Sequence, residues 1–303
     1  FRDQLDRYGE VDIIAKKWNE SLESLTKKTK LILNADDPQI ASLNKKNKEV
    51  IYFGLNSTES NETHLEHAAD SIYCPACGTK LNYHFIHYSH LGKWYCPKCK
   101  LKRPESNLLS TFSFYPLKGT YNMYNTLSAV AVLKQIGLTD SNIVTGLQNF
   151  KPAFGRQEKI NFNNKQIQLL LSKNPTGFNE SLRTIKQLDA KTVLLVLNDK
   201  IADGKDISWI WDIDFPQFDT LLIAGERAYD MGLRIKYQSQ DFPSCHSREG
   251  GNPAPSNFKI YTTLKQAILE GVKQIKNNET LYILPTYTAM LEVRKILTGK
   301  SIL

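Results

Sequence analysis

The chain has 303 residues, with 39 Lys and Arg against 31 Asp and Glu, five Cys, 41% hydrophobic and 10% aromatic residues. This is too apolar for a disordered protein, and ordinary or low use of Gly, Pro and Cys excludes collagen-like, mucin-like and disulfide-scaffold classes. The net charge of +8 favours an anionic partner (nucleotide, nucleic acid or anionic membrane surface) without choosing among them.

The length suggests two domains. No apolar run reaches the roughly 18 residues that a bilayer span requires, and the charged start is no secretory signal. The chain opens on Phe1 without an initiator Met and is expected to be a fragment.

Residues 1–25 read as a helix, with Leu5, Tyr8, Val11, Ile14, Ala15 and Trp18 at spacings of three and four. Residues 30–33 form a short apolar strand that runs into Asn34-Ala35-Asp36-Asp37-Pro38. Pro38 disfavours helix before it and can open a helix over 39–46. A second strand over 50–54 makes a parallel α/β arrangement the expected fold. Residues 72–105 interrupt it with four Cys, aromatic clusters and turn residues. Helices follow over 121–137, with Leu127, Val130, Leu133 and Ile136 on one stripe, and over 141–150, capped by Leu138-Thr139-Asp140. Lys151-Pro152-Ala153-Phe154-Gly155 reads as a linker between a domain over 1–150 and one over 151–303. Strands expected at 166–171, 192–197, 220–224, 258–261 and 281–284 alternate with helices at 178–188, 225–233, 264–276 and 286–297. Residues 239–257 are rich in breakers and read as a loop insertion. Cys245 and His246 within it are assigned no function.

The strongest chemical signal is Cys74-Pro-Ala-Cys77 and Cys96-Pro-Lys-Cys99, two CxxC knuckles with 18 residues between them. Each tight turn offers two thiolates, and four satisfy a tetrahedral Zn²⁺ at a spacing typical of a zinc ribbon. Gly78 lets the chain turn after the first pair. Tyr83, Phe85, Tyr88, Trp94 and Tyr95 supply a core for the small lobe. With no open coordination position the metal is expected to be structural. Two disulfides are the alternative, but nothing argues for an oxidising compartment. Lys93, Lys98, Lys100, Lys102 and Arg103 beside aromatics suggest nucleic-acid binding on one reading and a solvated basic face on the blander one. The rest of the chain has no nucleic-acid motif.

No phosphate loop is present: Gly299-Lys300-Ser301 lacks the leading Gly, since Arg294 stands there, and no helix follows. If ATP is used, that loop lies upstream of Phe1. Two other clusters suit a nucleotide. Residues 34–38 follow the end of a strand, where open α/β sheets bind ligands. Gly119-Thr120-Tyr121-Asn122-Met123-Tyr124-Asn125 opens a helix whose amides can pair with a base edge while Tyr stacks. The alternatives are an Asx turn and a capped helix with core tyrosines.

Taken with residues 1–10, these runs resemble the Mur ligase superfamily, most closely its MurT type, the ATP-using subunits of bacterial lipid II isoglutaminyl synthases. Phe154-Gly-Arg-Gln-Glu158, Ser172-Lys-Asn-Pro-Thr-Gly-Phe-Asn-Glu180, Asp203-Gly-Lys-Asp-Ile-Ser-Trp-Ile-Trp-Asp212 and Gly225-Glu-Arg-Ala-Tyr-Asp230 follow in family order. The ribbon and the DGxDxSWxWD run are specific to the MurT type. The resemblance implies a partial central ATPase domain with the ribbon inserted, then a C-terminal Rossmann-like α/β domain, with ATP and Mg²⁺ bound in the cleft between them. It implies phosphorylation of the D-glutamate α-carboxylate of lipid II and attack by ammonia from a GatD-like class I glutaminase, giving D-isoglutamine. It places the protein in the cytoplasm, at the inner face of the membrane. No nucleic acid is implied.

By the same resemblance Asn34, Asp37, Tyr121, Asn122 and Asn125 lie on the adenine side, and Arg156 and Lys173 touch phosphates. An Asp of the DGxDxSWxWD run would orient the glutaminase His. Asp206 is favoured, then Asp203 and Asp212. The alternative is a capped loop in which Asp203-Gly204 turns and Trp209 and Trp211 are buried. The chain departs from the family pattern in lacking the phosphate loop, the Mg²⁺-binding acid and the N-terminal substrate domain, so this segment alone is not expected to turn over ATP. Gln4 stands where many Mur ligases carry a His near magnesium, and residues 100–118 look short. A Mur-type or folylpolyglutamate-synthase-like amino-acid ligase, and a zinc ribbon nucleic-acid-binding protein, are the competing readings.

Overall fold

The computed structural model describes residues 1, 9–43, 48–56, 65, 69–106, 114–239 and 258–300. Gln4, Leu5 and Tyr8, the end of the expected 39–46 helix, and Cys245 and His246 with residues 240–257 of the expected insertion lie outside the described residues. The chain divides into two compact units, Phe1–Lys151 and Pro152–Leu303.

In the first unit, helix α1 (Val11–Ser24) precedes strand β1 (Lys30–Asn34), a single helical turn α2 (Pro38–Ala41) and strand β2 (Glu49–Phe53). β1 and β2 pair in parallel from Lys30↔Glu49 to Asn34↔Phe53. Asp37 is the N-cap of α2, accepting hydrogen bonds from the Gln39 and Ile40 N–H groups, and Pro38 occupies the first turn, where no N–H is needed. The four-Cys lobe carries an antiparallel hairpin, β3 (Asn82–Tyr88) and β4 (Leu91–Tyr95). Helix α3 (Thr120–Gln135) and helix α4 (Asp140–Gln148, N-capped by Thr139) complete the unit. Leu127, Val130 and Ala131 of α3 pack with Phe53, Leu55, Tyr88 and Leu91, so one core joins helix, β2 and hairpin. Two stripe positions depart from the sequence reading. Trp18 is 45% and Ile136 67% exposed; in α1 only Ala15 is fully buried.

The second unit is a six-stranded sheet in the order β5-β6-β10-β7-β8-β9. Its elements run β5 (Arg156–Phe162), β6 (Lys165–Leu170), α5 (Pro175–Gln187), β7 (Thr192–Val196), β8 (Thr220–Ala224), α6 (Ala228–Ser239), β9 (Phe258–Ile260), α7 (Leu264–Gln274), β10 (Thr280–Pro285) and α8 (Tyr287–Thr298). All pairs are parallel except β5 with β6. Central strands buried on both faces read as unbroken apolar runs. Thr192–Val196 shows the division of labour: Val193 and Leu195 join one core with Phe178 of α5 and Met231 of α6, while Leu194 and Val196 join another with Ile268 of α7 and Val293 of α8.

β5 escaped the sequence reading because it is a half-solvated edge strand whose polar residues hide the alternation. Its ladder is also broken between Arg156 and Glu158, where Gln157 adopts φ +58°. After β8 the chain turns back through Gly225 at φ +105°, and a Cβ there would stand 2.4 Å from the Leu197 carbonyl oxygen. Gly225→Ala is therefore expected to cost at least about 1–3 kcal/mol, read as a lower urea midpoint at unchanged m-value.

Candidate functional site

The four thiols of Cys74, Cys77, Cys96 and Cys99 lie within 4.8 Å of one another. Two pairs cross between knuckles, Cys74 to Cys99 and Cys77 to Cys96, each at 3.5 Å. That is far outside the roughly 2.05 Å of a disulfide and close to the about 3.8 Å separation of sulfurs bound tetrahedrally at 2.3 Å. The two knuckles are copies of one another. The Gly78 N–H bonds to the Cys74 carbonyl at 2.8 Å and the Lys100 N–H to the Cys96 carbonyl at 3.2 Å. Both residues are left-handed, at φ +70° and +65°. The Cys74 N–H reaches the Thr79 carbonyl and the Cys96 N–H the Leu101 carbonyl. The donor set and its geometry fit a tetrahedral metal ion.

Arg103 does not lie on a solvated basic face. It is 7% exposed and its Nε donates to Oδ1 of Asp36, which is fully buried. Arg103 Nη2 also donates to the Leu55 carbonyl at 3.2 Å. Oδ2 of Asp36 accepts from the Tyr124 hydroxyl at 2.6 Å and the Leu55 N–H at 2.9 Å. Burial, then the Asp36 charge, raise the Tyr124 phenol well above its ordinary pKa, so it remains a donor. Trp94 is 1% exposed, with Tyr88 also buried, so these rings form core rather than a stacking surface. Lys93, Lys98, Lys100 and Lys102 are exposed.

The nucleotide-side candidates of the first unit fall on two segments. Asn34 ends β1, its Oδ1 accepting from the Asp36 N–H at 2.9 Å. Asp37 Oδ2 lies 3.4 Å from His90 Nε2. Burial pushes the Asp37 carboxyl up, but His90 and the Ile40 N–H outweigh it and hold the pKa below the usual value. The stability this cap supplies is thus complete above the ordinary carboxylate pKa and is lost as pH falls through the lowered one. Asn122 is buried, donating to the Lys118 carbonyl at 2.7 Å and accepting from the exposed Asn125 at 3.4 Å. Tyr121 is half-buried against the α3 core. Tyr124 stands between the two asparagines in the chain and is buried, as the core-tyrosine reading of this run expects.

In the second unit Arg156 is exposed at the start of β5. Lys173 lies between the C-terminal end of β6 and the first turn of α5, where Asn174 caps the helix by accepting from the Gly177 N–H at 2.7 Å. Backbone amides at such a helix start suit an anionic ligand. The three acids of the DGxDxSWxWD run differ sharply. Asp203 is 6% exposed and accepts from the Thr288 N–H at 2.8 Å and from its hydroxyl, capping α8. Asp206 is exposed and accepts a local bond from the Ser208 N–H at 2.8 Å, at the head of a 3-10 turn (Ser208–Asp212). Asp212 is half-buried, its carbonyl held by Asn179 at 3.1 Å. Trp209 packs on the core but Trp211 is 51% exposed.

Comparison with known proteins places this arrangement. Residues 2–133 match the Mur ligase middle domain and residues 171–290 the MurT ligase C-terminal domain. The MurT subunit of lipid II isoglutaminyl synthase (glutamine-hydrolyzing) from Streptococcus pneumoniae R6 is 32% identical over the whole of this chain, which covers 69% of that protein. The chain belongs to the Mur ligase family, in its MurT branch. The same-named subunit from Staphylococcus aureus COL is 34% identical over 82% of the chain, which spans 61% of that relative's length. A pseudomurein peptide ligase type C from Methanothermus fervidus shares the fold at TM-score 0.68 and 24% identity, covering 99% of this chain and 61% of its own. MurF from Acinetobacter baumannii shares it at TM-score 0.57 and 15% identity, covering 98% and 57%.

Of the candidates, the cysteines, Asn34, Asp37, Tyr121, Asn122 and Asn125 fall in the Mur ligase middle match, and Lys173 and the three acids in the MurT match. Arg156 falls in neither. Among the described residues no helix is long and apolar enough to cross a membrane.

Proposed function

We propose that this MurT-type chain is the ATP-using part of an amide ligase that converts the D-glutamate α-carboxylate of lipid II to D-isoglutamine. The carrying observation is its similarity, at 32–34% identity, to MurT subunits of glutamine-hydrolysing lipid II isoglutaminyl synthases. A carboxylate oxygen attacks the γ-phosphorus of ATP and ADP leaves. Ammonia then attacks the acyl carbon, phosphate leaves and an amide remains. Asn34, Asp37, Tyr121, Asn122 and Asn125 take the adenine side, with Mg²⁺ accompanying the nucleotide. Arg156 and Lys173 supply cations that offset charge on the transferring phosphoryl group. Cys74, Cys77, Cys96 and Cys99 hold Zn²⁺, which cross-links the lobe and leaves no open position for catalysis. The enzyme works in the cytoplasm, at the inner face of the membrane where lipid II is reached.

Ammonia comes from a GatD-like class I glutaminase that docks on the second unit, and Asp206 orients that partner's catalytic His. Two features support this role over Asp203. Asp206 keeps an exposed carboxylate, whereas Asp203 is engaged in capping α8. The same 3-10 turn also presents exposed Trp211 beside Tyr237 of α6, ring centroids 6.1 Å apart, and exposed aromatics of this kind anchor protein interfaces.

In the complex of full-length protein with glutaminase, Asp206→Asn is expected to slow glutamine hydrolysis about 10²–10⁴-fold at unchanged nucleotide affinity and Tm. Asp203→Asn is expected instead to lower Tm, by about 1–3 kcal/mol of stability. Unchanged hydrolysis in Asp206→Asn moves the role to Asp203 or Asp212.

A further inference from the structure

Residues 35–37 are held by four separate contacts from residues 90–103 of the four-Cys lobe. Trp94 Nε1 donates to the Ala35 carbonyl at 3.0 Å, and the Gly92 N–H to the Asp36 carbonyl at 3.2 Å. Arg103 pairs with the Asp36 carboxylate and His90 lies against that of Asp37. The lobe therefore grips the loop between Asn34 and Pro38 along its backbone and at both acids. Arg103 itself lies four residues after Cys99 of the second knuckle, and its N–H bonds to the Trp94 carbonyl at 3.0 Å. Its guanidinium is thus set by the chain that the cysteines fold.

The same Asp36 carboxylate accepts the Tyr124 hydroxyl. Tyr124 lies one residue from Asn125 and two from Asn122 on α3. One buried carboxylate thus joins the lobe, the end of β1 and the asparagine-bearing helix. A buried ion pair is weak evidence for net stability, since desolvation offsets much of its attraction, and a role in fixing one arrangement fits better. Binding groups need placement within about 0.5 Å to be effective.

We infer that the four-Cys lobe is a positioning element for the nucleotide: Arg103 and Tyr124, meeting on Asp36, hold the Asn34–Asp37 loop and the Asn122–Asn125 turn in register. Asp36, Arg103 and Tyr124 are positioning residues and touch no substrate themselves. The inference rests on the ATP-binding role proposed above.

The test is calorimetric binding of Mg·ADP to the full-length protein, with zinc content and Tm measured on each sample. Tyr124→Phe removes one hydroxyl and keeps the ring; Arg103→Gln removes the cation and Arg103→Lys returns it. Tyr124→Phe and Arg103→Gln are expected to raise the Mg·ADP Kd by about tenfold while zinc stays at one per chain, and Arg103→Lys to recover part of the affinity. Should Arg103→Gln fail to fold, Tyr124→Phe carries the test alone. A lower Tm with wild-type Kd makes Asp36 a stability device only and overturns the inference. Wild-type protein that binds no Mg·ADP overturns the ATP reading and this inference with it.

Discussion

Cys96→Ser is expected to abolish zinc binding at the proposed four-Cys site and melt the lobe over residues 72–105. Cys96 is fully buried and sits in the lobe core with Cys74, Leu81 and Trp94. That core is small, and lobes of this size lean on their metal, whose binding free energy in isolated zinc-finger peptides reaches about 10–16 kcal/mol at neutral pH. Metal analysis should fall from one zinc per chain toward zero, and amide exchange within 72–105 should accelerate by orders of magnitude. The second unit, with cores of its own, should keep its protection. Full zinc retention in Cys96→Ser contradicts the four-ligand site.

Arg103→Ala is expected to destabilise the protein by about 3–5 kcal/mol. It removes the guanidinium from the Asp36 carboxylate, 0% exposed, and leaves it the Tyr124 hydroxyl and the Leu55 N–H. Lys102→Ala, one residue away and exposed, should stay within about 0.5 kcal/mol of wild type. Urea denaturation of the two variants side by side separates a buried charge pair from a solvated basic face. Equal midpoints contradict the pairing.

These two outcomes also mark where the sequence could be read and where it could not. The knuckles were legible because metal chemistry fixes both residue type and spacing, and the repeated Cys-Pro-x-Cys carried that without any fold. The central strands were legible because burial on both faces forces unbroken apolar runs, as in Thr192–Val196. Arg103 was not legible: its partner is 67 residues away, and its neighbours Lys100 and Lys102 made it look like one more surface cation. β5 was hidden by its solvated edge. The acids of the DGxDxSWxWD run are alike as letters, and only burial separates Asp203, which caps a helix 85 residues further on, from exposed Asp206. The role of Asp36 is not legible within the Asn34–Pro38 run, because a buried acid and a solvent-facing one look the same in a turn sequence.

The central claim is that this chain belongs to a machine that makes an amide from a carboxylate with nitrogen taken from glutamine. Its most direct test supplies the full-length protein, with its co-expressed glutaminase, with lipid II, Mg·ATP and glutamine labelled with ¹⁵N at the side-chain amide, and reads the stem peptide by mass spectrometry. The account predicts ¹⁵N in the α-amide of the second-position D-glutamate, dependent on both ATP and glutaminase. An unlabelled carboxylate, or a stem peptide extended by a whole amino acid, would contradict it.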